Sequence, residues 1–426
     1  MILFTSTGLL VLLSFSIPVG IVLFLLAFGI DHFFSPFPLM RGLGQVIWSS
    51  SNSATLIAIP FFVLLGEVLV RSGVARRTYA ALDAWVSWLP GGLIHANIAT
   101  ATLFSATSGS SVATAATVAS VAMPQAEKLG YDAKLFSGAI AAGGTLGIMI
   151  PPSINLIVYG FLTETSIPKL FLAGLVPGLL LALLFMAMTA LVCGIKPSLG
   201  GPGTKVSWER RIASLKDLLP LLGLFGAIVG SIYAGWATPT EAAAVGVGIS
   251  FVIAGTQKAL SREMLLESLK GTVRTTALIM LVVIGAYVLN FVLTAAGVSR
   301  ALQDLLQNLG LGAVGTLLVI VLIYIVLGFF IETLSLMVAT IPIVVPVIVQ
   351  LGYDPLWFGI LMILLVEMAL ITPPVGLNLY VVQAARKAGS FTDVMIGAAP
   401  YAVAMLVMAG LLILFPAIAL FLPSNL

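Results

Sequence analysis

A break inside a long apolar run limits what this chain can fold into. Residues 135–162 are apolar over a length that would cross a membrane, but three glycines and then Pro151 and Pro152 interrupt residues 143–155. Proline removes a backbone donor and clashes with the preceding turn, so no regular helix passes through this stretch. An unpaired backbone group in hydrocarbon costs several kcal/mol, so the break must face protein or a water-filled cavity.

The same arrangement occurs a second time. Pro373 and Pro374 interrupt residues 371–378 inside another apolar run, residues 356–382. Two broken transmembrane helices in corresponding halves of a chain indicate the binding site of a secondary transporter. The sequence therefore predicts two matched breaks around one transport site.

Composition places the whole chain in a lipid bilayer. Of its 426 residues, 60% are hydrophobic and 8% are charged, against about 25% charged in soluble domains. One cysteine, Cys193, and two histidines exclude a disulfide framework and a Cys- or His-based metal cluster. The net charge of +3 forms no basic cluster interleaved with aromatic residues, so nucleic-acid binding has no support. We therefore expect no cofactor other than coupling ions.

The predicted crossings follow from the need for about 20 apolar residues per span. Residues 91–127 and 310–350 each run apolar into a polar turn and apolar out again, which is typical of re-entrant hairpins. Residues 31–52 are amphipathic at best and are expected at the membrane interface. The predicted crossings are residues 7–30, 54–70, 133–162 (broken), 168–194, 217–236, 239–257, 273–296, 355–385 (broken) and 394–422.

The two breaks belong to an internal repeat. Leu-Gly-Tyr-Asp occurs at 129–132 and again at 351–354, and the two Pro-Pro pairs lie at the same offset. The first copy contains four crossings and an extra span, residues 217–236, precedes the second copy, which therefore enters from the opposite side. The predicted fold class is an all-α polytopic membrane protein, an elevator-type transporter with an inverted repeat, two re-entrant helical hairpins and two broken transmembrane helices.

Lys and Arg residues orient the predicted crossings. With the N-terminus in the cytoplasm and the C-terminus in the periplasm, all of the 19 Lys and Arg residues except Arg41, Lys169 and Arg300 fall on the cytoplasmic side. Cytoplasmic loops carry such an excess. Treating either hairpin as a full crossing would invert everything after it and spoil this asymmetry, which favours the re-entrant interpretation.

The hairpins and breaks are expected to form one transport domain. Both units expose broken backbone, which stays covered if the units face each other and move together as a rigid body. The predicted domains are scaffold helices with an interfacial arm (1–90), a first hairpin and broken helix (91–162), connecting and scaffold helices (163–309), a second hairpin and broken helix (310–386) and a C-terminal transmembrane helix (387–426).

Neutral oxygen atoms at the hairpin tips and breaks predict sodium sites. Unwound backbone and Ser, Thr and Asn oxygens suit sodium in transporters, although such residues also let helices pack closely. The helix N-termini after the breaks carry partial positive charge, which suits a substrate carboxylate. The predicted sodium-binding residues are Ser108, Gly109, Ser110, Ser111, Thr145, Gly147, Ile150, Thr333, Ser335, Thr372, Pro374 and Gly376, and the predicted substrate-binding residues are Ser153, Asn155, Glu332 and Asn378.

Four carboxylates lie within or beside apolar spans, where a charge is costly and indicates function. Glu67 and Glu241 lie outside the hairpin and break units, so a structural role in capping or pairing is expected for both. Glu332 is at the second tip and is the better functional candidate. Glu367 precedes the second break and is expected to hold that break.

The sequence does not predict an enzyme. His95 and Ser110 would have to approach within about 3 Å to act as a hydrolase pair. Fifteen helical residues instead separate them by roughly 22 Å. A nucleotide-binding glycine loop with its lysine is absent from the sequence, so direct ATP drive is disfavoured.

Several motifs carry a family resemblance that covers essentially the whole chain. They are Ile59-Pro60-Phe61-Phe62, Gly66-Glu67, Ser108-Gly109-Ser110-Ser111, Lys128-Leu129-Gly130-Tyr131-Asp132, Ile150-Pro151-Pro152-Ser153, Thr238-Pro239-Thr240-Glu241 and Thr372-Pro373-Pro374-Val375-Gly376-Leu377-Asn378. They resemble the large membrane subunit of tripartite ATP-independent periplasmic (TRAP) transporters. The second tip departs from the family, because residues 332–335 replace a glycine-serine run.

This resemblance implies a sodium-driven, elevator-type importer of a small organic acid, such as a C4-dicarboxylate or sialic acid, in the bacterial inner membrane. It also implies two partners. One is a small four-helix membrane subunit (Q type), and the other is a periplasmic substrate-binding protein (P type). The alternative interpretation is a stand-alone ion-coupled carboxylate transporter or antiporter.

Overall fold

The computed structural model describes residues 2–15, 17–35, 38–201, 206–298, 310–386 and 389–425, and the regular elements in these ranges are helical. The helices of the first half are α1 (Ile2–Ser14), α2 (Val19–Phe34), α3 (Leu43–Ser51), α4 (Ala58–Ser72), α5 (Val74–Val86), α6 (Leu93–Ser108), α7 (Ser111–Leu129), α8 (Ala133–Met149), α9 (Ile154–Thr163) and α10 (Ile167–Ile195). Those of the second half are α11 (Trp208–Tyr233), α12 (Pro239–Thr256), α13 (Arg262–Ala295), α14 (Gly312–Gly328), α15 (Thr333–Gln350), α16 (Pro355–Met368), α17 (Leu377–Arg386), α18 (Phe391–Leu414) and α19 (Ala417–Ser424).

Six of the described helices, α10, α11, α12, α13, α15 and α18, are long and apolar enough to cross a membrane alone. Two further pairs qualify as bent spans: α4 with α5, which turn by 72°, and α8 with α9, which turn by 40°. The apolar helices α2, α6, α14 and α16 are shorter. An all-helical polytopic membrane protein, as predicted, is confirmed.

Both predicted hairpins are present. Helices α6 and α7 meet at Gly109, whose φ of 59° favours glycine. Ser110 then caps α7 by accepting a hydrogen bond from the Ala113 N–H at 3.4 Å. Helices α14 and α15 form the second hairpin around residues 329–332. Because α15 is one arm of this hairpin, its length alone does not make it a separate crossing.

The first predicted crossing, residues 7–30, is wrong. The chain turns back before Pro18, and α1 packs antiparallel against α2. The centroid of the Phe4 ring lies 5.7 Å from that of Phe33 and 5.5 Å from that of Phe34, so α1 begins beside the end of α2. Pro18 is the N-cap of α2 and has no N–H with which to continue a helix. The start of α1 and the end of α2 therefore lie on the same side of the protein.

Two other elements differ from the predicted spans. Helix α4 ends at Gly73, whose φ is 76°, and α5 leaves at 72° as an arm that the sequence analysis did not predict. The last predicted crossing, residues 394–422, stops at Leu414, and Pro416 begins the separate short helix α19. Glycine and proline at these positions are the local causes of both changes in direction.

The inverted repeat appears in the packing of the scaffold. Helix α2 packs against α13 in the same way that α12 packs against α4, and α4 packs against α13 between them. This exchange of partners is what a two-fold relation between the halves requires. The antiparallel pair α1 and α2 corresponds to the pair α11 and α12, so the first half contains a counterpart of the span that was predicted to be extra.

Helices α10 and α18 pack on the two broken helices. Helix α18 crosses α8 so closely that a side chain on Gly138 would overlap the Gly397 backbone. At the start of α18, Asp393 pairs with Lys134 at 3.5 Å and with Arg386 at 3.2 Å, which joins both repeats at one end. Among the positions used above for orientation and domain boundaries, Lys205, Arg300, Lys387 and residue 309 lie outside the described residues.

Candidate functional site

A cavity of about 420 Å³ lies where the two hairpin tips meet. Small-molecule sites have volumes of about 300–1,000 Å³. One wall consists of the two tips and the helices that follow the breaks, and the opposite wall consists of α2 and α13. The lining includes the predicted residues Gly109, Ser110, Ser111, Asn155, Glu332, Thr333 and Ser335, and the scaffold residues Pro18, Val19, Gly20, Thr275, Leu278, Ile279, Leu281 and Val282, which were not predicted.

Four helices of the hairpin and break units begin at this cavity, and α2 begins there as well, at Val19. Helices α7, α9, α15 and α17 each place one of their first residues in its lining, namely Ser111, Asn155, Thr333 and Leu377. Helix N-termini carry partial positive charge and unpaired N–H groups. Among the described lining residues, Glu332 is the only charged one. The cavity thus combines helix N-termini and neutral oxygens with one carboxylate.

The first tip brings hydroxyl and carbonyl oxygens together. Ser108 Oγ lies 2.7 Å from Thr114 Oγ1 and 3.4 Å from the Ser110 carbonyl oxygen. Gly109 lies against the first break, because a Cβ there would be 3.3 Å from the Pro152 carbonyl oxygen. Neutral oxygens at this spacing form a donor set that suits sodium.

The end of α8 packs against this tip. A Cβ on Gly147 would lie 2.9 Å from the Ser110 carbonyl oxygen, so glycine is needed for the approach. Thr145, also predicted to bind sodium, donates its hydroxyl to the Ala142 carbonyl at 2.7 Å. Ile150 ends the helix in extended conformation, with φ −85° and ψ 124°. The contribution of α8 to the tip is therefore close backbone packing.

The first residues of α9 have different surroundings. Ser153 is the buried N-cap and accepts a hydrogen bond from the Leu156 N–H at 3.3 Å, so it stabilises the restart of the helix. Asn155 lines the cavity, is 4% exposed, and its Nδ2 has no hydrogen-bond partner among the described residues. Asn155 is thus the predicted substrate residue that offers an unused donor at the cavity.

At the second tip, Glu332 is the N-cap of α15. Its carboxylate accepts hydrogen bonds from the N–H groups of Leu334, at 3.0 Å, and Ser335, at 2.9 Å. The hydroxyls of Ser335, at 2.8 Å, and Thr333, at 3.1 Å, donate to it as well. The predicted ligands of this tip are therefore organised around one carboxylate that both caps a helix and lines the cavity.

Local contacts and backbone conformation shape the second break. Thr372 donates its hydroxyl to the Met368 carbonyl at 2.9 Å, one turn back. Pro374 follows a cis peptide bond, as Pro152 does in the first break. Gly376 has a φ of 49°, which favours glycine. These three positions surround the break, but they are not among the described residues that line the cavity.

The two repeats exchange the helices that follow their breaks. Helix α8 packs on its own hairpin, and so does α16, but α9 packs against α15 and α17 packs against α7. Asn378 of α17 accordingly donates its Nδ2 to the Ala141 carbonyl of α8 at 3.0 Å and lies outside the cavity lining. Within each hairpin and break unit, the hairpin therefore packs on the helix before the break, whereas the helix after the break packs on the other hairpin.

Glu367 makes a contact that the sequence analysis missed. It is fully buried, and its Oε2 accepts a hydrogen bond from Ser111 Oγ at 2.7 Å. The two residues are 256 positions apart and belong to different repeats. Glu367 therefore reaches the first tip, whereas it was expected to hold its own break. An unpaired acid within an apolar run was the available signal.

The remaining sequence candidates lie away from the cavity. Glu241 forms a capping box with Thr238, and Glu67 pairs with Arg71 one turn later, so both expected structural roles are confirmed. His95 Nε2 lies 2.8 Å from the Pro90 carbonyl oxygen at the base of the first hairpin, whereas Ser110 is at its tip. The hydrolase pair that the sequence analysis rejected is thus not formed.

Comparison with protein families gives one match that covers nearly the whole chain. Residues 7–418 match the family described as the tripartite ATP-independent periplasmic transporter, DctM component. The C4-dicarboxylate TRAP transporter large permease protein DctM of Pseudomonas aeruginosa is 38% identical over 391 residues, which are 90% of this chain and 90% of that protein.

Two further comparisons concern subunit composition and fold. The isethionate TRAP transporter permease protein DctMQ of Oleidesulfovibrio alaskensis is 33% identical over 81% of this chain, which corresponds to 54% of that longer protein. The crystal structure of the Alcanivorax borkumensis YdaH transporter superposes with a TM-score of 0.65 over 97% of this chain and 99% of that chain. At 13% identity, this likeness supports the fold alone.

Proposed function

This chain belongs to the DctM family of tripartite ATP-independent periplasmic transporters, as their large permease subunit, and we propose that it imports a small organic acid together with sodium. The import would use an elevator movement of the two hairpin and break units against the scaffold. The observation that carries this proposal is the convergence of five helix N-termini, four of them from the hairpin and break units, on one cavity between the tips and the scaffold.

The charges of the cavity favour sodium coupling. An organic acid is negatively charged, and the only charged side chain among the described lining residues is also an acid, Glu332. Helix N-termini attract a carboxylate. At α15, however, the capping carboxylate of Glu332 offsets the partial positive charge of the helix N-terminus. Bound cations at the tips would supply the missing positive charge, and the neutral oxygens around Ser108 and Gly109 suit sodium.

The arrangement corresponds to an inward-facing state in this proposal. The Lys- and Arg-rich loops are placed in the cytoplasm, so α2 and α13 both begin on that side. The cavity is lined by Pro18 and Gly20 at the start of α2, and by Thr275 in the first half of α13. The start of α1 then lies on the periplasmic side, which replaces the cytoplasmic N-terminus predicted from a single first crossing.

The proposed partners are a small membrane subunit and a periplasmic binding protein. Membership of a tripartite family supports both, and the relative whose name joins M and Q supports the first. The proposed substrate is a C4-dicarboxylate, sialic acid or a similar carboxylate, because the Pseudomonas aeruginosa relative is named for C4-dicarboxylates. Localisation in the bacterial inner membrane follows from the same assignment.

Sodium dependence tests the proposal. The complete transporter, reconstituted in liposomes with its binding protein, should take up labelled succinate or sialic acid only when sodium is outside. Uptake should rise cooperatively with sodium, since both tips offer oxygen ligands. Equal uptake in potassium, or uptake driven by a proton gradient alone, would contradict sodium coupling. Uptake by this chain without either partner would favour a stand-alone transporter instead.

A further inference from the structure

A buried carboxylate without a counter-charge lies between the two repeats. Glu367, in the last turn of α16, is 0% exposed. Its Oε1 has no hydrogen-bond partner, and it forms no ion pair with any residue in the described part of the chain. A charge in such surroundings is costly unless a cation or several donors compensate it. The single hydroxyl of Ser111 on Oε2 does not provide that compensation.

A second buried oxygen nearby also lacks a partner. Asn378, at the start of α17, is 0% exposed, and its Oδ1 has no hydrogen-bond partner among the described residues. Its Nδ2 is fixed on the Ala141 carbonyl at 3.0 Å, which determines where Oδ1 points. Buried amide oxygens are normally satisfied, so this atom requires an explanation as well.

Both groups lie around the same part of α7. Ser111, the first residue of α7, contacts Glu367 through its hydroxyl. A Cβ on Gly144 would be 3.0 Å from the Ser111 carbonyl oxygen and 2.8 Å from Asn378 Nδ2. Glycine at 144 thus lets Asn378 of the second repeat pack close to Ser111 at the first tip.

We propose that Ser111, Glu367 and Asn378 bind one monovalent alkali cation, sodium, which joins the first hairpin tip to the second repeat. The carboxylate supplies the negative charge, and the Ser111 hydroxyl and Asn378 Oδ1 supply neutral ligands. This site deepens the proposed function and rests on it. It differs from the tip and break sites because an acidic side chain, and not only neutral oxygens, holds the ion.

The site explains how an ion can set the position of the first tip. With the cation bound, α7 is tied to α16 and α17, so the tips remain together around the substrate cavity. Without it, the cost of burying an uncompensated charge weakens this contact between the repeats. Sodium at this position therefore assembles the transport unit as well as contributing to the driving force.

The test is the sodium dependence of Glu367→Gln in the complete reconstituted transporter. Glutamine keeps the size and the hydrogen bond to Ser111 but removes the charge. We expect the sodium concentration for half-maximal uptake to rise at least about tenfold, and the cooperativity for sodium to fall. Ser111→Ala, which keeps the carboxylate, should raise the same concentration by a smaller factor.

Two matched substitutions control for loss of folding. Glu127→Gln removes an exposed acid from α7, and Ser137→Ala removes a buried hydroxyl that bonds only within α8. Both should leave sodium dependence unchanged, and every variant should show a cooperative melting transition in potassium, which shows that it is folded. If Glu367→Gln does not fold, Ser111→Ala alone decides the question.

The outcomes separate this inference from the proposed function. A wild-type transporter without sodium dependence would overturn both. Sodium-dependent wild-type uptake with unchanged sodium dependence in Glu367→Gln would overturn the new site alone. A uniform loss of rate at every sodium concentration would do the same, because it would show a structural carboxyl. Loss of pH dependence with unchanged sodium affinity would assign a proton in place of sodium and would also overturn it.

Discussion

Replacing Gly147 with alanine is expected to lower sodium-dependent uptake by about tenfold to a hundredfold. The new Cβ would lie 2.9 Å from the Ser110 carbonyl oxygen and 3.0 Å from its carbonyl carbon. These are backbone atoms of the first tip, so the tip itself must move. Overpacking of this kind costs about 1–3 kcal/mol, and each 1.4 kcal/mol is a factor of about ten in binding.

The matched control is Gly226→Ala in the scaffold helix α11. A Cβ on Gly226 meets no atom within 4 Å, and alanine is the better helix former. We expect wild-type uptake from Gly226→Ala and a raised half-saturating sodium concentration from Gly147→Ala. The measurement is initial uptake in liposomes against sodium concentration. Wild-type sodium dependence in Gly147→Ala would show that the close approach of tip and break is unimportant.

A crosslink between α9 and α13 is expected to stop transport completely and reversibly. Phe161 of α9 and Tyr287 of α13 have ring centroids 5.0 Å apart, and the Tyr287 hydroxyl donates to the Phe161 carbonyl at 3.1 Å. Helix α9 belongs to the proposed moving unit and α13 to the scaffold. Cysteines at both positions, joined by a short bifunctional methanethiosulfonate, would fix the unit in the state described here.

The chain offers a convenient background and control for this crosslink. Its single cysteine, Cys193, is replaced by alanine first. The control pair is Tyr380 of α17 and Phe391 of α18, whose ring centroids are 4.4 Å apart. Helix α18 packs on both broken helices and is expected to move with them. Crosslinking this pair should leave uptake intact, whereas crosslinking 161 to 287 should abolish it until reductant is added. Continued uptake with 161 and 287 crosslinked would exclude rigid-body sliding.

The breaks and hairpins were predictable because proline and glycine determine them locally. A Pro-Pro pair in an apolar run ends a helix whatever its neighbours are, so α8 and α9 separate where the sequence indicates. The first tip, at Gly109 and Ser110, likewise consists of small residues that favour a turn, and at the second tip Glu332 is the polar residue that marks the turn after three apolar residues. The register of the internal repeat then identified the two halves as copies.

The local sequence pattern gave a wrong prediction where one apolar run folds into two helices. Residues 7–30 contain no charged residue and are mostly apolar, and their total length favoured one crossing over two short antiparallel helices. Pro18 was the available signal for the turn, since it cannot continue a helix. The bend at Gly73 was missed for a similar reason, because glycine at a helix end marks a stop without indicating where the chain goes next.

The site was only partly predictable because its contacts join distant parts of the chain. The sequence analysis predicted that the first tip and Asn155 belong to the site, and the structure places both at the cavity. The exchange of α9 and α17 between the repeats was not, and neither was the contact of Glu367 with Ser111. Glu332 was predicted to be functional, and the structure places it in the cavity lining, but its capping of α15 depends on backbone geometry and was not predicted.

Distances between spin labels test the central claim, that both hairpin and break units move as one body against the scaffold. One pair, Glu127→Cys with Gln350→Cys, joins the two hairpin and break units, and a second pair, Glu127→Cys with Leu266→Cys, links the first unit to α13. All three positions are exposed. Both distances are measured in the presence of sodium and substrate and again without sodium. The first distance should be the same in both conditions, and the second should change. A constant second distance, with movement confined to a label at a tip, would contradict the account.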